Sequence, residues 1–401
     1  MRPPTVLFHC QHSLGLGHLV RSFALAGALA ERFRVVVLSG GRLPRGVAVP
    51  PGVELVSLPP IGMTVDGVLV SEDRRRSASR ALELRHDQIL AAHDALRPEV
   101  VLVELFPFGR KKFAPEILPL LHAARDSGAL TLCSLRDILV SSKRDQLGHD
   151  ERASRVANEF FDAVLVHSDP RFARLEESFR PETPLRVPVH YTGFVVPDAH
   201  AHALAPTPAE SIRPRVVVSA GGGRYGGELL RAAVHAHRLA LADAGIDVRL
   251  IAGPFLPDSE WHALREAARG RRGLEVRRSV PDLRAEFQTA AASVSQCGYN
   301  TTLDVLRTGV PSLMVPFAAG REDEQTRRAQ RLGTLGAVRV LPAERADGAT
   351  LAREISELVR FRPAPVQLDL RGAQKTALFV ASKLARAAAP SAPRRLIAVA
   401  G

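Results

Sequence analysis

The sequence has few of the residues that stabilise secreted or metal-rich proteins. Its 401 residues include only three cysteines, one tryptophan and 5% aromatic residues in all. The cysteines, Cys10, Cys133 and Cys297, are odd in number, far apart and without a CxxC pair, which excludes a disulfide scaffold and a zinc ribbon and predicts reduced, buried thiols in a cytoplasmic protein. The apolar runs at residues 99–106 and 310–317 have the length of strands, well below the roughly 20 residues that cross a bilayer. The first residues lack a signal-peptide h-region, so we do not expect export.

Acidic residues are outnumbered, 42 against 54 basic ones, which gives a formal net charge of +12. Only five of the basic residues are lysines, and many arginines are scattered among alanines. Proteins that bind DNA or RNA usually concentrate positive charge on one face and add stacking aromatic residues. Because neither feature is present, the composition argues against a nucleic-acid polymer as the partner.

Short β-branched segments alternate with alanine-rich amphipathic segments along most of the chain, which is typical of βαβ units. The alternation restarts once, after a proline-containing connector. We therefore predict the α/β class, with two doubly wound, Rossmann-like domains at residues 1–197 and 215–388, a linker at 198–214 and a flexible tail at 389–401. Ligands of open parallel sheets bind at the carboxyl ends of the strands, so the binding site should lie in a cleft between the domains.

The predicted strands and helices alternate regularly. Predicted strands are residues 5–9, 34–38, 53–58, 100–104, 131–134, 163–166 and 191–194 in the first half, and 215–219, 248–252, 274–277, 292–296, 312–315 and 337–340 in the second. Predicted helices of the first half are residues 18–32, 78–96 and 115–127. Residues 61–76 and 141–153 are predicted as variable loops of the first domain.

The first candidate motif, GLGHLVR at residues 15–21, lies between a predicted strand and an amphipathic helix. Glycine lets the backbone approach a ligand closely, so Gly15 and Gly17 are candidate ligand contacts. His18 would lie at the N-terminus of the helix, where the helix dipole keeps the imidazole neutral. A neutral imidazole can deprotonate a hydroxyl, so His18 is the candidate general base. A simple turn with a packed or capping histidine explains the spacing equally well.

The second motif, SAGGGRYGG at residues 219–227, has five glycines in seven positions and again separates a strand from a helix. Backbone N–H groups at a helix N-terminus bind anions, and Arg224 would add positive charge. Gly221, Gly222, Gly223 and Arg224 are therefore candidate contacts to a diphosphate. The motif is neither a Walker A loop nor a GxGxxG dinucleotide loop, and a plain flexible loop is the alternative.

The third motif, SQCGYNTTLD at residues 295–304, precedes a Gly-Val-Pro segment and a strand. Its candidate ligand contacts are Gly298, Asn300, Thr301 and Asp304, with the Asp304 carboxylate placed to accept two ribose hydroxyls. A capping box formed by Thr301 and Asp304 is the structural alternative.

The fourth motif, PFAAGREDEQ at residues 316–325, combines acid and amide groups ahead of a helix. Glu324 and Gln325 are candidate hydrogen-bond partners for sugar hydroxyls. A solvated run of charges explains the segment equally well. The acids could also hold a divalent ion, but recognition of hydroxyls does not need one.

Taken in order, the four motifs resemble those of glycosyltransferases with the GT-B fold, and in particular the MurG-like group of glycosyltransferase family 28, which makes the lipid-linked disaccharide of peptidoglycan. The resemblance is most specific over residues 292–332. The segments GLGHLVR at 15–21, ELFPFGRKKF at 104–113 and SLRD at 134–137 also look like a set of uncharacterised predicted bacterial glycosyltransferases.

The resemblance implies the roles of the candidate residues. Gly221 to Gly223 would hold the donor diphosphate, Asp304 the ribose, and Glu324 and Gln325 the donor sugar, while the strand end from Arg278 to Val280 would offer backbone groups to uracil. His18 would assist an acceptor hydroxyl in an inverting transfer from a nucleotide sugar, with UDP-sugar expected as donor. The sequence departs from the family pattern at Asp304, where glutamate is usual, at Gln296-Cys297, and at Leu16.

The expected partners are the nucleotide-sugar donor, which acts as co-substrate, and a small-molecule or lipid-linked acceptor. No metal and no other cofactor is expected, since an Asp-x-Asp element is not evident. A hydrolase or epimerase of the same fold and a non-catalytic nucleotide-sugar-binding protein remain alternatives. The basic residues at 74–76 and 110–113 have two explanations. They could make a weak peripheral contact with the inner face of the membrane, or they could simply be charged residues exposed to solvent.

Overall fold

The computed structural model describes residues 2–12, 16–44, 47–64, 67–141, 144–197, 213–222, 225–317 and 323–388. These residues form two parallel β-sheets covered by helices and one short antiparallel hairpin. The predicted α/β class with two doubly wound sheets is confirmed. Most of the predicted linker and the whole predicted tail lie outside the described residues.

The first sheet is built from the N-terminal half of the chain. Its described strands, with the hairpin, are β1 (Thr5–Cys10), β2 (Arg34–Ser39), β3 (Val53–Ser57), β4 (Ile61–Met63), β5 (Leu69–Ser71), β6 (Val100–Glu104), β7 (Leu130–Arg136), β8 (Ala163–His167) and β9 (Val189–Tyr191). The parallel sheet has the order β3-β2-β1-β6-β7-β8-β9, and β4 pairs with β5 as the hairpin.

The second sheet repeats this plan. Its described strands are β10 (Arg215–Ser219), β11 (Asp247–Ile251), β12 (Leu274–Arg277), β13 (Ala292–Ser295), β14 (Ser312–Met314) and β15 (Arg339–Val340). They are parallel and have the order β12-β11-β10-β13-β14-β15. In both sheets the chain begins near the centre, moves outward, and then crosses back to continue on the other side.

Helices connect the strands. The described α-helices are α1 (Leu16–Ala30), α2 (Ala78–Leu96), α3 (Ala114–Asp126), α4 (Gln146–Phe160), α5 (Gly227–Ala236), α6 (Asp258–Ala268), α7 (Leu283–Gln288), α8 (Tyr299–Thr308), α9 (Glu324–Thr334), α10 (Gly348–Leu358) and α11 (Gly372–Ala388). None of the helices in this part of the chain is long and apolar enough to cross a membrane.

Burial of β1 on both faces explains why its sequence is apolar at every position but His9 and the first. Val6 and Phe8 belong to a core cluster with α1, whereas Leu7 belongs to a separate cluster with α2, α3 and α4. Successive side chains of a strand point to opposite faces, so a strand in the middle of three layers must be apolar at almost every position. The unbroken apolar strands therefore follow from the layered architecture.

The two domains share a hydrophobic cluster. Ile138, Phe172 and Phe194 from the first domain pack with Tyr299 and Leu303 of α8 in the second. Two hydrogen bonds of the Tyr299 hydroxyl cross the same boundary, one donated to the carbonyl of residue 167 at 3.0 Å and one accepted from the amide of residue 195 at 2.9 Å. The domains are therefore held together by a packed core as well as by the chain connection.

The last helix packs across the predicted domain boundary. α11 falls within the predicted second domain, and its residues Ala373, Ala377 and Val380 belong to the core cluster formed by β1 and α1 of the first. The chain reaches it through an antiparallel bridge between Val195 and Arg371. The apolar face of α1 needs a cover, and α11 supplies it from the far end of the chain.

The two predicted loops of the first domain contain regular structure. Residues 61–76 include the hairpin β4–β5, and residues 141–153 include the start of α4, which Asp145 caps by accepting a hydrogen bond from the Gly148 amide at 3.0 Å. The segment at 110–113 is likewise only partly exposed, because Phe113 is 3% exposed and packs in the core. Lys111 and Lys112 are the exposed residues of that segment.

Candidate active site

The order of the strands places two pairs of loops opposite each other. In the first sheet β1 and β6 are neighbours, although the helices that follow these two strands continue toward opposite edges of the sheet. In the second sheet β10 and β13 are neighbours in the same way. Such a point leaves a crevice at the carboxyl ends of the strands, where ligands of doubly wound sheets bind. His18 follows β1, Glu104 ends β6, Gly221 follows β10 and Gly298 follows β13.

His18 and Glu104 form a pair at the crevice of the first sheet. The Nδ1 atom of His18 lies 2.6 Å from Oε1 of Glu104, whose side chain is fully buried, while the His18 side chain is 18% exposed. A carboxylate only accepts hydrogen bonds, so a contact this short places the proton on Nδ1. The other ring nitrogen, Nε2, is then an unprotonated base.

Arg21 supports this arrangement from the next turn of α1. Its Nη2 donates to Oε1 of Glu104 at 2.5 Å, and its guanidinium lies 5.3 Å from the ring centroid of Tyr299. The same Nη2 lies 3.3 Å from Nδ1 of His18, but this nitrogen cannot accept a hydrogen bond while it donates to Glu104. Arg21 therefore orients the carboxylate that orients His18.

Burial keeps the His18 ring neutral. Removal of the ring from water lowers its pKa to about 3, and Arg110 and Arg136 lower it further against the opposing effect of Glu104. The position of His18 at a helix N-terminus predicts a neutral ring because of the helix dipole, whereas burial is the main cause in the structure. At neutral pH the ring is therefore unprotonated, which a general base must be before it can accept a proton.

Glu104 keeps its negative charge in this buried position. Burial raises its pKa, but His18, Arg21 and Arg110 together outweigh burial and hold the pKa below its ordinary value. No motif in the sequence predicts a functional role for Glu104. The available signal was an acid at the last position of an otherwise apolar strand, where a parallel sheet presents residues to a ligand.

The crevice of the second sheet is lined by glycine and by the N-terminus of α8. Gly221 has a φ of +58°, which a residue with a side chain adopts only with strain. A Cβ atom on Gly221 would lie 4.0 Å from Oγ1 of Thr301, and one on Gly298 would meet nothing within 4 Å. The predicted contacts Gly221, Gly298 and Thr301 are therefore close together at a helix N-terminus, and Gly222 follows Gly221 in the chain.

The two crevices approach each other directly. Asn300 of α8 donates from Nδ2 to the Gly17 carbonyl of α1 at 3.4 Å. The first turn of α1, which carries His18, therefore lies against the N-terminus of α8. The predicted contacts Gly15, Gly223 and Arg224 lie outside the described residues.

Asp304 lies one turn further along α8 in a setting that favours its protonated form. Burial, together with the charge of Asp282, raises its pKa to about 7, although Arg307 and Arg284 act in the opposite direction. Its carboxylate accepts no hydrogen bond from the residues that the structure describes. Asp282 is the N-cap residue of α7, and its carboxylate accepts a hydrogen bond from the Arg284 amide at 2.9 Å. Asp304 therefore lies beside the segment that connects β12 to α7.

That segment contains Arg278 and Val280. The Arg278 carbonyl accepts a hydrogen bond from the Gly253 amide at 2.9 Å, and its side chain bonds Asp258 at 2.7 Å. Among the described residues, no group bonds the backbone N–H or carbonyl of Val280. Val280 therefore offers free backbone groups, whereas the backbone carbonyl of Arg278 is already used once.

Glu324 lies against the first domain. Arg136 of that domain donates from Nη1 to Oε1 of Glu324 at 2.9 Å and also contacts Oε2. The carboxylate therefore joins the domains by an ion pair with the part-buried guanidinium at the end of β7, and its contact with a donor sugar stays a prediction. Gln325 accepts a hydrogen bond from the Phe317 amide at 3.2 Å through Oε1, and its Nε2 has no partner in the part of the chain that the structure describes.

Arg328, on the next turn of α9, forms a second buried link between the domains. Its Nε and Nη2 each donate to the Asp137 carboxylate at 2.8 Å, and its Nη1 donates to the Cys297 carbonyl at 2.7 Å. Both side chains are at most 1% exposed. This pair fixes α9 and the loop before α8 against the first domain. The described residues contain no group of three or more His, Cys, Asp or Glu side chains arranged to hold a metal ion.

The fold is that of the GT-B glycosyltransferases. The chain is similar to the calicheamicin glycosyltransferase CalG4, with a TM-score of 0.58 and 18% identity over 97% of this chain and 100% of the other. It is also similar to MurG of Acinetobacter baumannii, with a TM-score of 0.54 and 15% identity over 96% of this chain and 100% of the other. At these identities the likeness defines the fold.

The sequence of the second domain is similar to a narrower group of glycosyltransferases. Residues 222–381 match the family described as the glycosyltransferase family 28 C-terminal domain. Two curated relatives are UDP-N-acetylglucosamine–N-acetylmuramyl-(pentapeptide) pyrophosphoryl-undecaprenol N-acetylglucosamine transferases. The enzyme of Solidesulfovibrio magneticus is 29% identical over 43% of this chain and 47% of the relative. The enzyme of Stutzerimonas stutzeri is 30% identical over 38% of this chain and 43% of the relative. These matches span less than half the length of either relative.

Proposed function

We propose that this protein is an inverting, metal-independent glycosyltransferase that moves a sugar from a nucleoside diphosphate, with UDP-sugar as the expected donor, to a hydroxyl acceptor. The observation that carries the proposal is the His18–Glu104 pair, which lies next to the contact between Gly17 and Asn300 at the N-terminus of α8. One side of the crevice offers a base and the other an anion site, and glycosyl transfer from a nucleotide donor needs both.

The donor would lie against the second domain. The backbone amides at Gly221, Gly222 and the N-terminus of α8 would hold the diphosphate. Asp304 would accept the ribose hydroxyls, and the free backbone groups of Val280 suit the edge of a base. Thr301 and Gln325 would make the remaining contacts to the donor. The N-terminus of α8 would stabilise the negative charge that develops on the leaving diphosphate.

His18 would act on the acceptor. Its Nε2 would remove the proton of the attacking hydroxyl while the acceptor oxygen bonds to the anomeric carbon and the bond from that carbon to the donor phosphate breaks. A single displacement of this kind inverts the anomeric configuration. Glu104 would stabilise the imidazolium formed, as a carboxylate at the opposite ring nitrogen does in other histidine bases.

A panel of nucleotide sugars tests the proposal directly. We expect a UDP-sugar to raise the melting temperature more than the matching GDP- and dTDP-sugars, since ligands that bind only the folded state stabilise it by mass action. We also expect release of UDP that depends on an added acceptor. Release without an acceptor would favour a hydrolase, interconversion of sugars an epimerase, and binding without turnover a nucleotide-sugar-binding protein.

The raised pKa of Asp304 predicts a pH dependence of donor binding. An ionised carboxylate accepts two ribose hydroxyls, whereas the protonated form accepts fewer, so affinity should fall as the pH drops through about 7. Between pH 8 and pH 6 we expect the Kd for a UDP-sugar, whose diphosphate does not titrate in this range, to rise by up to about tenfold. Titration calorimetry at both pH values measures this change. Asp304→Asn should abolish it, and a wild-type Kd that is constant with pH would remove Asp304 from the ribose site.

As part of the proposal we place the protein in the cytoplasm. Cys10, Cys133 and Cys297 are all free and buried, and burial raises the pKa of the Cys10 thiol to about 12, so the thiols are unreactive. A lipid-linked acceptor would require contact with the membrane surface, for which the exposed arginines at 74–76 remain the candidate segment.

A further inference from the structure

Arg110 is a nearly buried cation without a hydrogen-bond partner. Its side chain is 12% exposed, and its Nε is buried with no acceptor. The nearest carboxylate oxygen, Oε2 of Glu104, is 3.8 Å from Nε, which is too far for a hydrogen bond. None of the described residues accepts a hydrogen bond from the rest of this guanidinium. Five donors are thus available at one point in the crevice.

The surroundings of Arg110 carry a surplus of positive charge. Arg21 and Arg136 also lie at this end of the first sheet, and among the described residues the acids that contact the three guanidinium groups are Glu104 and Glu324. His18 is neutral at physiological pH because burial lowers its pKa. Three cations against two anions leave one positive charge in excess in a largely desolvated place, which is costly unless a further anion is bound.

The excess charge lies beside the candidate base. His18 contacts Oε1 of Glu104, and Arg110 approaches Oε2 of the same carboxylate. A group held by Arg110 would therefore be a close neighbour of a hydroxyl held by His18. The donor diphosphate would lie across the crevice, on the amides of the second domain, so Arg110 is not needed to explain donor binding.

We propose that Arg110 binds a singly charged oxyanion, a carboxylate or a phosphodiester, carried by the acceptor, and that this contact places the acceptor hydroxyl at His18. The proposal rests on the proposed function, because it names the substrate class of that same site. The planar guanidinium fork matches either oxyanion by two parallel hydrogen bonds. A single negative charge balances the cluster.

The test uses histidine-labelled protein and two simple probes, dimethyl phosphate and acetate. Each is titrated while the His18 side-chain resonances are followed by NMR, with saturating UDP to fill the donor site and with the His18 signal assigned by its absence in His18→Gln. We expect a saturable shift with at least one probe, and the tighter probe identifies the source of the oxyanion. No saturable shift with either probe would overturn the proposal.

Variants locate the binding. Arg110→Gln should weaken the tighter probe by about 10-fold or more, since it removes a charge-assisted pair of hydrogen bonds. Arg110→Lys, which keeps the charge but loses the fork, should give an intermediate loss and serves if the glutamine variant does not fold. Arg75→Gln, the same change at an exposed arginine, should bind as the wild type does. Equal affinity in wild type and in the Arg110 variant that folds would overturn the proposal.

Failure of the proposed function gives a different result. If UDP and UDP-sugars do not bind, the glycosyltransferase proposal fails, and the probe titrations are run without UDP. A loss of probe binding in Arg110→Gln under those conditions still identifies an oxyanion site. If UDP binds and the probes do not, only the role of Arg110 is removed.

Discussion

Replacing His18 with alanine should lower the rate of sugar transfer by about 100- to 10,000-fold, the usual contribution of a positioned general base. The affinity for UDP should change little, because the side chain lies on the first domain and the proposed diphosphate and ribose contacts lie on the second. Steady-state kinetics with a UDP-sugar, together with titration calorimetry with UDP, measure the two effects separately.

The control is His262→Ala, which removes an exposed histidine of α6 and should leave both quantities unchanged. Glu104→Gln should give a partial loss of rate, because the neutral amide still bonds Nδ1 but no longer stabilises an imidazolium. Transfer at the wild-type rate in His18→Ala would exclude His18 as the base and leave the pair with a structural role.

Replacing Asp137 with alanine should destabilise the folded protein by about 3 to 5 kcal/mol, because it leaves the buried Arg328 without its counter-charge. Two hydrogen bonds of 2.8 Å are lost at once, and both groups lie between the domains. For a chain of this size we expect the melting temperature to fall by about 3 to 10 °C. Differential scanning calorimetry measures the change and also shows whether the two domains begin to unfold separately.

Asp126→Ala provides the matched control, because Asp126 is exposed at the end of α3 and forms no ion pair with the residues that the structure describes. Its melting temperature should equal that of the wild type. The double variant Asp137→Leu/Arg328→Met should recover much of the loss, since it removes both charges from the interior. A stable Asp137→Ala protein would show that water reaches Arg328 and that the pair does not hold the domains.

Local sequence patterns predicted the regular elements well. The strand β6 and the helix α2 have the predicted bounds, and β10 and β12 do too. β6 and β10 have apolar centres, β12 alternates apolar and charged residues, and α2 has an apolar stripe, so their own periodicity defines them. α4 and the hairpin β4–β5 were missed because α4 is rich in polar residues and the hairpin strands have three residues each.

The sequence predicted single residues of the candidate site but not the contacts between them. Motif spacing brought attention to His18, Gly221 and Asp304, which the structure places at the two crevices, although their roles remain predictions. The partner of His18 could not be predicted, because Glu104 is 86 residues away along the chain. The pairing of Glu324 with Arg136 could not be predicted for the same reason, since it spans 188 residues.

The sequence by itself determined the succession of strands and helices along the chain, the glycine-rich segments after β1 and β10, and from these the two-domain α/β plan. Each of these local patterns depends on residues within a few positions of one another. Only the tertiary structure decided which buried charges meet, that α11 returns to cover α1, and that Arg110 is left without a partner. The physical reason is that the free energy of a buried charge depends on every group within a few ångströms, whatever its distance along the chain.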